Sequence, residues 1–593
     1  MVAAPSRESR ATKIRDLSDV PAGEALSCDV LIIGGGAAGL TVARGLEGAG
    51  LDVLITESGG VEESEESEAL NRVLCPPNNW NDAQIARRTA FHGPQTRLWS
   101  HENQGFGVRC RGLGGSTAAW AGKSATFDEM DFRTRDWVPH SGWPIAPAEL
   151  DPHLDRAAQM LNLSANCYDE ALWALMGRVP PPSGPDPDIL RSFFWQFARS
   201  TIDPMEVMHL GREFLAHPPA DARVLTGATA MKVLTSRSGA RAAGAEFADR
   251  SGARRTILAG TIVLAASTIE NARLLLVSTD NHPAGLGNAH DNVGRYLIDH
   301  PSASLASFEG RGIAALADLF GFYGLRHTKG INMYLRGLAP TPAVQQEQQL
   351  LNCAVYFQGE RAPDDPFSAM KRIIRRNSRD YAADLMAVLK SPGVVARGLG
   401  RMALQSGRIP KPLAAFAINQ LVRFRPNMVA EEFLTRGIPH KLTGLRIIAV
   451  CEQAPDRENR ITLSDQRDRF GTPLPMVRWR VGSREAHTMK RLARMIDAEF
   501  DTAGLPVPQI EPWIDSGDLA DIAVIDMAHT AGTTRMAADP AQGVVDANCM
   551  VHGVEGLFVA GASIFPTSGH ANPTLMIMGF ALRLAEHLRT RTA

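Results

Sequence analysis

Short apolar runs closed off by polar or glycine-rich sequence mark most of the strands in this chain. Cys28 to Ile33 is one such run and reads as a buried strand. Gly34-Gly-Gly36-Ala37-Ala-Gly39 follows at once, Leu40 to Gly48 reads as a helix, and Asp52 to Thr56 reads as the next strand, ending in Glu57-Ser58. The order strand, Gly-x-Gly-x-x-Gly, helix, strand, acid gives each glycine a task. The first makes a tight turn, the second lets a pyrophosphate come close, and the third packs helix on strand. Glu57 is placed to accept hydrogen bonds from an adenosine ribose.

Asp221 to Ser278 holds two more apolar strand candidates, Arg223 to Leu234 and Thr261 to Ala266, with a helix over Ile269 to Leu276 behind the second. Between them Ala245 to Thr256 alternates like a hairpin around a turn at Asp249 to Gly252. The texture changes after residue 301. Leu350 to Phe357, Leu445 to Gln453, Arg460 to Leu463 and Met476 to Val481 read as strands. Ser483 reads as the N-cap of a helix that carries Glu485 in its first turn and ends at Gly504, ahead of Pro506. This is antiparallel sheet plus helix.

The last seventy or so residues organise the rest. Leu575 to Leu588 is almost wholly apolar, so it reads as a buried helix, with Asn572 as N-cap and Pro573 at its first position. A glycine, serine and histidine loop, Ser568-Gly569-His570-Ala571, leads into it. A helix N-terminus carries unpaired amides and a positive partial charge, which favours an anion or an electron-rich ring edge. Upstream stands His529 in His-Thr-Ala-Gly-Thr-Thr-Arg-Met. A histidine and an asparagine can share one hydroxyl, the imidazole taking its proton and the amide orienting it.

Other stretches carry less. Val61 to Leu70 is rich in Glu and reads as a solvated helix face. A second glycine-rich loop, Arg111-Gly-Leu-Gly114-Gly115-Ser116-Thr117, has residues small enough for backbone to approach a planar cofactor. Trp120, Trp137 and Trp143 read as core. From Lys371 to Arg425 basic residues accumulate, among them Arg372, Arg375, Arg376, Arg379, Arg397, Arg401 and Arg408, opposed by Asp380 and Asp384. Apolar residues interleave at helical spacing. The stretch reads as a solvated helical flap, with docking to a membrane or partner as the alternative.

Totals narrow the classes. With 593 residues the chain can bury a large core in more than one domain. A hydrophobic share of 44% and a charged share of 21% suit a soluble globular protein, and a net charge of −2 sets up no field for nucleic acid. The seven cysteines are scattered and form no Cys-x-x-Cys pair, which suits a reducing compartment and argues against a disulfide framework or a metal site. Met1 to Ala25 is polar and lacks the apolar core of a secretory signal, and no apolar run is long enough to span a bilayer, so a cytoplasmic protein without membrane contact is expected.

On these residues the sequence resembles the glucose–methanol–choline (GMC) oxidoreductases. The resemblance rests on Gly34-x-Gly36-x-x-Gly39 with Glu57, on Gly112-Leu-Gly114-Gly115-Ser116, and on Val263-Leu-Ala-Ala266-Ser267 followed by Glu270-Asn271-Ala-Arg273. It also rests on His529-Thr-Ala-Gly-Thr-Thr-Arg535-Met, Gly543-Val-Val-Asp546 and Gly569-His-Ala-Asn572-Pro573-Thr574. Trp137-Val-Pro-His-Ser-Gly-Trp143 and Gly294-Arg-Tyr-Leu-Ile-Asp299-His300-Pro301 are similar to the bacterial branch near pyranose and glycoside oxidases and dehydrogenases.

The resemblance implies an α/β fold (α+β overall), with a Rossmann-like FAD-binding domain from residues 25–125, 205–300 and 515–593. A second domain of antiparallel sheet and helices, 126–204 and 301–514, would bind substrate and carry the basic insertion at about 365–430. It implies FAD and oxidation of an alcohol, most readily a sugar or glycoside, with His529 as base and Asn572 as its partner. Gly34, Gly36, Ala37, Gly39, Glu57, Ser58, Gly114, Gly115, Ser116 and Ala266 would contact the cofactor. Gly561 and Ala562 would approach the pyrophosphate, Ala230 would offer backbone to adenine, and Pro573 and Thr574 would open the helix beneath the flavin. Fungal pyranose oxidases often link flavin to a histidine just before the tryptophan of the second glycine loop. Here that place is Ala119, which implies a dissociable, non-covalent FAD. His570 departs from the pattern as a titratable residue close to Asn572. The electron acceptor is O2 or a quinone or protein carrier, and a homo-oligomer is left open. A non-sugar alcohol, or a redox-neutral flavoprotein lyase, is the alternative reading.

Overall fold

The computed structural model describes residues 14–21, 24–76, 80–203, 206–310, 312–327, 330–361, 365–374, 378, 380–393, 396, 409–427, 442–516 and 523–592. Its first layer is a six-stranded parallel sheet in the order Ile14–Asp16, Ala222–Thr226, Val53–Thr56, Val30–Ile33, Thr261–Leu264, Leu557–Val559. Its two glycine-unit strands, Val30–Ile33 and Val53–Thr56, are buried at every residue, as their unbroken apolar runs require. They sit in register, with Ile33 opposite Thr56, so both run out at the same edge. The helix Ala37–Gly45 and the long C-terminal helix Thr574–Thr592 pack against each other, Gly45 lying so near Ala585 that an added Cβ would come within 2.5 Å of the Ala585 methyl carbon.

The second layer is a large antiparallel sheet. Its order is Gln509–Ile510, Ser302–Glu309, Leu442–Cys451, Cys353–Arg361, Gly330–Pro340, Leu190–Phe197, Lys123–Ser124, with Phe322–His327 hairpinned onto Gly330–Pro340. The helix Ser483–Thr502 lays Met489, Leu492, Ile496 and Phe500 against it. A four-stranded sheet contains the expected hairpin, Ala242–Ala248 paired with Arg254–Leu258. The seven cysteines are all free thiols. Among the described residues no helix is long and apolar enough to cross a membrane.

Several expectations need correction. Arg223 to Leu234 is not one strand. Gly227, at φ +62°, turns the chain, so Ala222–Thr226 joins the parallel sheet and Thr229–Thr235 the four-stranded one. The helix after Gly36 starts at Ala37, three residues earlier than its apolar pattern suggests. Ser483 lies inside its helix. Gly482 is the cap residue, and Glu485 accepts its amide at 2.7 Å. Val61 to Leu70 is not a solvated face throughout, because Glu68 is buried. Its carboxylate accepts the Arg111 amide and the side-chain amides of Asn71 and Gln104. Among the described residues the basic insertion holds the helices Pro366–Ile374, Tyr381–Leu389 and Lys411–Phe424, and Arg372 pairs with Asp384. Arg375, Arg376, Arg379, Arg397, Arg401 and Arg408 lie outside the described residues. Trp137 and Trp143 are structural, and Trp143 stacks on Phe580 of the C-terminal helix.

Candidate active site

Four parallel strands end at one edge, and Gly34, Glu57, Ala265 and Ala560 follow them directly. In open α/β sheets ligands bind outside the carboxyl ends of the strands. Here that edge opens into a cavity of about 1570 Å³. One small ligand usually occupies roughly 300–1,000 Å³, so this space suits a dinucleotide together with a second molecule.

The glycines of the cavity wall divide by what a Cβ would strike. At Gly34, φ +117°, it would sit 2.4 Å from the Ala265 carbonyl oxygen, and at Gly39 2.0 Å from that of Gly34. These two close the turn and the helix packing. At Gly36 the nearest atom would be Gly115 Cα at 3.9 Å, and at Gly561 the Ala38 methyl at 3.8 Å, so both present bare backbone to open space. Gly36 caps its helix without a side-chain hydrogen bond, which leaves the leading amides free for a phosphate. One Glu57 oxygen accepts the Gly59 amide at 2.8 Å and the Ser58 hydroxyl at 3.4 Å, while the other accepts the Gly35 amide at 2.9 Å and keeps a second lone pair. Burial raises the Glu57 pKa and these amides oppose the rise.

Gly34, Gly36, Ala37, Glu57, Ser58, Gly115, Ser116, Ala230, Ala266, Gly561, Ala562, Pro573 and Thr574 all line this one cavity. Gly39 and Gly114 do not. Gly114 stands at φ +101°, where a Cβ would lie 2.6 Å from the Gly211 amide, so its part is to fold the second glycine loop. Ser267 adds a buried hydroxyl with no partner in the structure, on a residue of φ +82° that also lines the cavity. Such a donor set, backbone amides and one acid at a strand edge, fits FAD.

His529 and Asn572 face each other across the same cavity, with Asn572 Nδ2 3.1 Å from His529 Nε2. Asn572 does not cap its helix. The Pro573 carbonyl already takes the first helical amide, that of Ile577, which leaves the Asn572 side chain to the histidine. The other ring nitrogen of His529, Nδ1, lies 2.9 Å from Nδ1 of His300. One oxygen of the buried Asp299 carboxylate accepts the amides of His300, Met527 and His529 at 2.7, 2.9 and 3.2 Å. Ile298 and Ala531 exchange both backbone hydrogen bonds beside it. Two distant stretches are thereby zipped into one unit.

Burial pushes the His529 pKa well below the usual histidine value, and the neighbouring His300 and Lys123 push it the same way. Burial likewise brings His300 down to about 4 and His570 to about 3. All three imidazoles are therefore neutral near pH 7. His570 does not reach the cavity. Its ring packs edge-on to Phe193 at 4.4 Å between centroids, and neither nitrogen has a partner in the structure. The Gly294–Pro301 motif does not by itself assign His300 a role. A histidine beside an aspartate in that motif was the available signal. No motif surrounds Lys123 to mark it in the sequence, although it lines the cavity.

Family models for the N- and C-terminal regions of GMC oxidoreductases match residues 214–302 and 455–581. The chain belongs to the GMC oxidoreductase family. In this GMC oxidoreductase both matched stretches supply cavity residues, Ala230 and Ala266 from the first and His529, Gly561 and Asn572 from the second. The fructose dehydrogenase large subunit of Gluconobacter japonicus is 23% identical over 95% of this chain and 98% of its own length. A C-glycoside 3-oxidase of Arthrobacter globiformis is 29% identical over 26% of this chain and 28% of its own. The crystal structure of pyridoxine 4-oxidase from Mesorbium loti shares the fold, with a TM-score of 0.50 and 16% identity over 94% of this chain and 99% of that one.

Proposed function

We propose that this GMC oxidoreductase oxidises a CH–OH group to a carbonyl, on a sugar or glycoside, using a dissociable FAD. The observation that carries the reading is the His529–Asn572 pair at the start of a helix, on a cavity that Gly36 and Gly561 also line with bare backbone. FAD, when bound, would accept the hydride from the carbinol carbon. His529 takes the hydroxyl proton on Nε2, and Asn572 Nδ2 donates to the same oxygen and holds it in line. For Nε2 to be the acceptor, Nδ1 must keep its hydrogen and donate it to His300 Nδ1. His300 therefore fixes the tautomer of the base. The leading amides of the helix at Thr574 place positive partial charge at the cavity, where negative charge on the cofactor would be favoured. Ala119, in the cavity wall, offers no nucleophile for a covalent flavin link.

The same reading assigns residues 25–125, 205–300 and 515–593 to cofactor binding, and the large antiparallel sheet to substrate. Fructose dehydrogenase and C-glycoside 3-oxidase, by name, act on a sugar and a glycoside, which supports that substrate class. Phe197, Phe322 and Leu335 on the cavity wall favour a second reading, a non-sugar alcohol.

Anaerobic mixing of the yellow protein with sugars, glycosides and aromatic alcohols tests both. Bleaching by a sugar or glycoside is expected, and admitting air afterwards separates O2 from a quinone or protein acceptor. A flavin that dithionite bleaches and no alcohol does would overturn the reading. Acid precipitation is expected to leave the flavin in the supernatant.

A further inference from the structure

Lys123 sits on the short edge strand of the antiparallel sheet, paired through Phe197 and Gln196, and its side chain lines the cavity that holds His529 and Asn572. Its Nζ lies 3.9 Å from the centre of the Trp195 ring and 4.0 Å from that of Tyr356. Among the described residues no carboxylate comes within salt-bridge distance of it and no hydrogen-bond acceptor is paired with it. Most of the side chain is buried, yet part of its surface stays open to the cavity.

That is an unusual position for a lysine. A buried ammonium is costly unless it is paired, and two aromatic faces offset only part of the cost. Burial with no opposing charge brings its pKa down to about 7. Two carboxylates that line the same cavity are engaged elsewhere. Glu511 accepts from Ser304 at 2.7 Å, and Glu360 is paired with Arg446. A second cation on the wall, Arg87, donates to the Ser302 and Ala523 carbonyls, and it is on Arg87 that the Glu511 charge acts. The aromatic rings fix Nζ in place while leaving its donors unspent, so what completes the site is an anionic oxygen that arrives with the substrate.

We propose that Lys123 recognises a carboxylate on the substrate, so that the preferred alcohol is a sugar acid or other hydroxy acid instead of its neutral counterpart. The inference rests on the alcohol-oxidising reading above and narrows it. A charge-assisted hydrogen bond made by one compound of a pair and not the other is worth roughly a 10- to 100-fold difference in half-saturation.

The test uses the FAD-loaded protein and three matched pairs: D-glucuronate with D-glucose, D-galacturonate with D-galactose, and mandelate with 1-phenylethane-1,2-diol. Anaerobic flavin bleaching gives a half-saturation for each, and calorimetry gives binding without turnover. In at least one pair the acid is expected to act at roughly 10- to 100-fold lower concentration. Lys123→Met and Lys123→Gln are expected to cut that preference at least tenfold with FAD content retained, and Lys123→Arg to keep part of it. A preference that survives Lys123→Met, or wild-type preference for the neutral member in all three pairs, overturns the proposal. Loss of FAD from both neutral variants does too, since it puts the amine on the cofactor. If no compound bleaches the flavin, the oxidation reading fails separately. Calorimetry then decides on Lys123: acid binding lost in Lys123→Met upholds it, and no acid binding in the wild type overturns it.

Discussion

The two walls of the cavity are made of different material. The wall at the parallel sheet is largely backbone: Gly36 and Gly561 leave it bare, Gly34 and Gly115 fold the turns beside them, and the Glu57 carboxylate lies at its edge. The wall at the antiparallel sheet and the C-terminal helix is side chains: His529, Asn572, Lys123, Tyr356 and Phe197. A backbone wall tolerates no added atoms but asks little of residue chemistry beyond smallness. A side-chain wall tolerates changes of shape but depends on which nitrogen carries a hydrogen. The first arrangement suits a ligand that never varies, the second a substrate that does.

Substitutions on each wall should fail in different ways. The largest loss belongs to the side-chain wall. His529→Ala should slow anaerobic flavin reduction roughly 10²–10⁴-fold with the FAD content unchanged, as for a lost general base. Reduction at the wild-type rate in stopped flow would remove His529 from the chemistry. On the backbone wall, Gly34→Ala forces an L-residue to φ +117° with its Cβ 2.4 Å from a carbonyl oxygen. Strain and overlap together should cost roughly 2–6 kcal/mol, seen as lost thermal stability and lost FAD together. A Gly34→Ala protein that melts like the wild type and keeps its flavin would show that the backbone wall can give way.

His300→Phe sharpens the contrast, because it keeps an aromatic ring and removes the acceptor that holds Nδ1–H of His529. It should slow flavin reduction roughly 10- to 100-fold and leave FAD in place. A merely structural role would not move the pH profile. Here the acid limb of kcat/KM should shift upward, because His300 is one of the groups holding the His529 pKa down. The smallest effect is in the wild type. As the proposed base His529 would act only when neutral, so the acid limb should fall below pH 6.5, the ordinary histidine value. Stability should follow in the same sense. The imidazoles of His300 and His570 have folded pKa values of about 4 and about 3, below the unfolded value. The stability tied to their neutral forms is complete above pH 6.5 and is lost as pH falls toward 3. A limb at or above pH 7 would mean that a different group titrates.

The backbone wall was legible in the sequence and the side-chain wall only in part. A turn that needs glycine at three fixed offsets after a strand leaves its trace in neighbouring residues, so Gly34 to Glu57 could be read before any contact was known. His529 and Asn572 came from a resemblance that joins two motifs. His300 and Lys123 reach the cavity through the pairing of strands and loops far apart in the chain, and no local spacing reports that. The same holds for Glu68, whose glutamate-rich neighbourhood suggested solvent while Arg111, Asn71 and Gln104 draw it inward. The single strand expected over Arg223 to Leu234 failed at Gly227, where the apolar pattern continues across a change of sheet.

Asp299 and His529 are 230 residues apart, yet one carboxylate oxygen gathers the amides on which both the base and its neighbour His300 hang. Reactivity is thereby made a late property of the chain. A molecule whose last segment has not docked cannot form this clasp, because it needs residues from the middle and the end of the sequence at once. On the proposed assignment, with His529 as the base, oxidation waits until that last segment has docked.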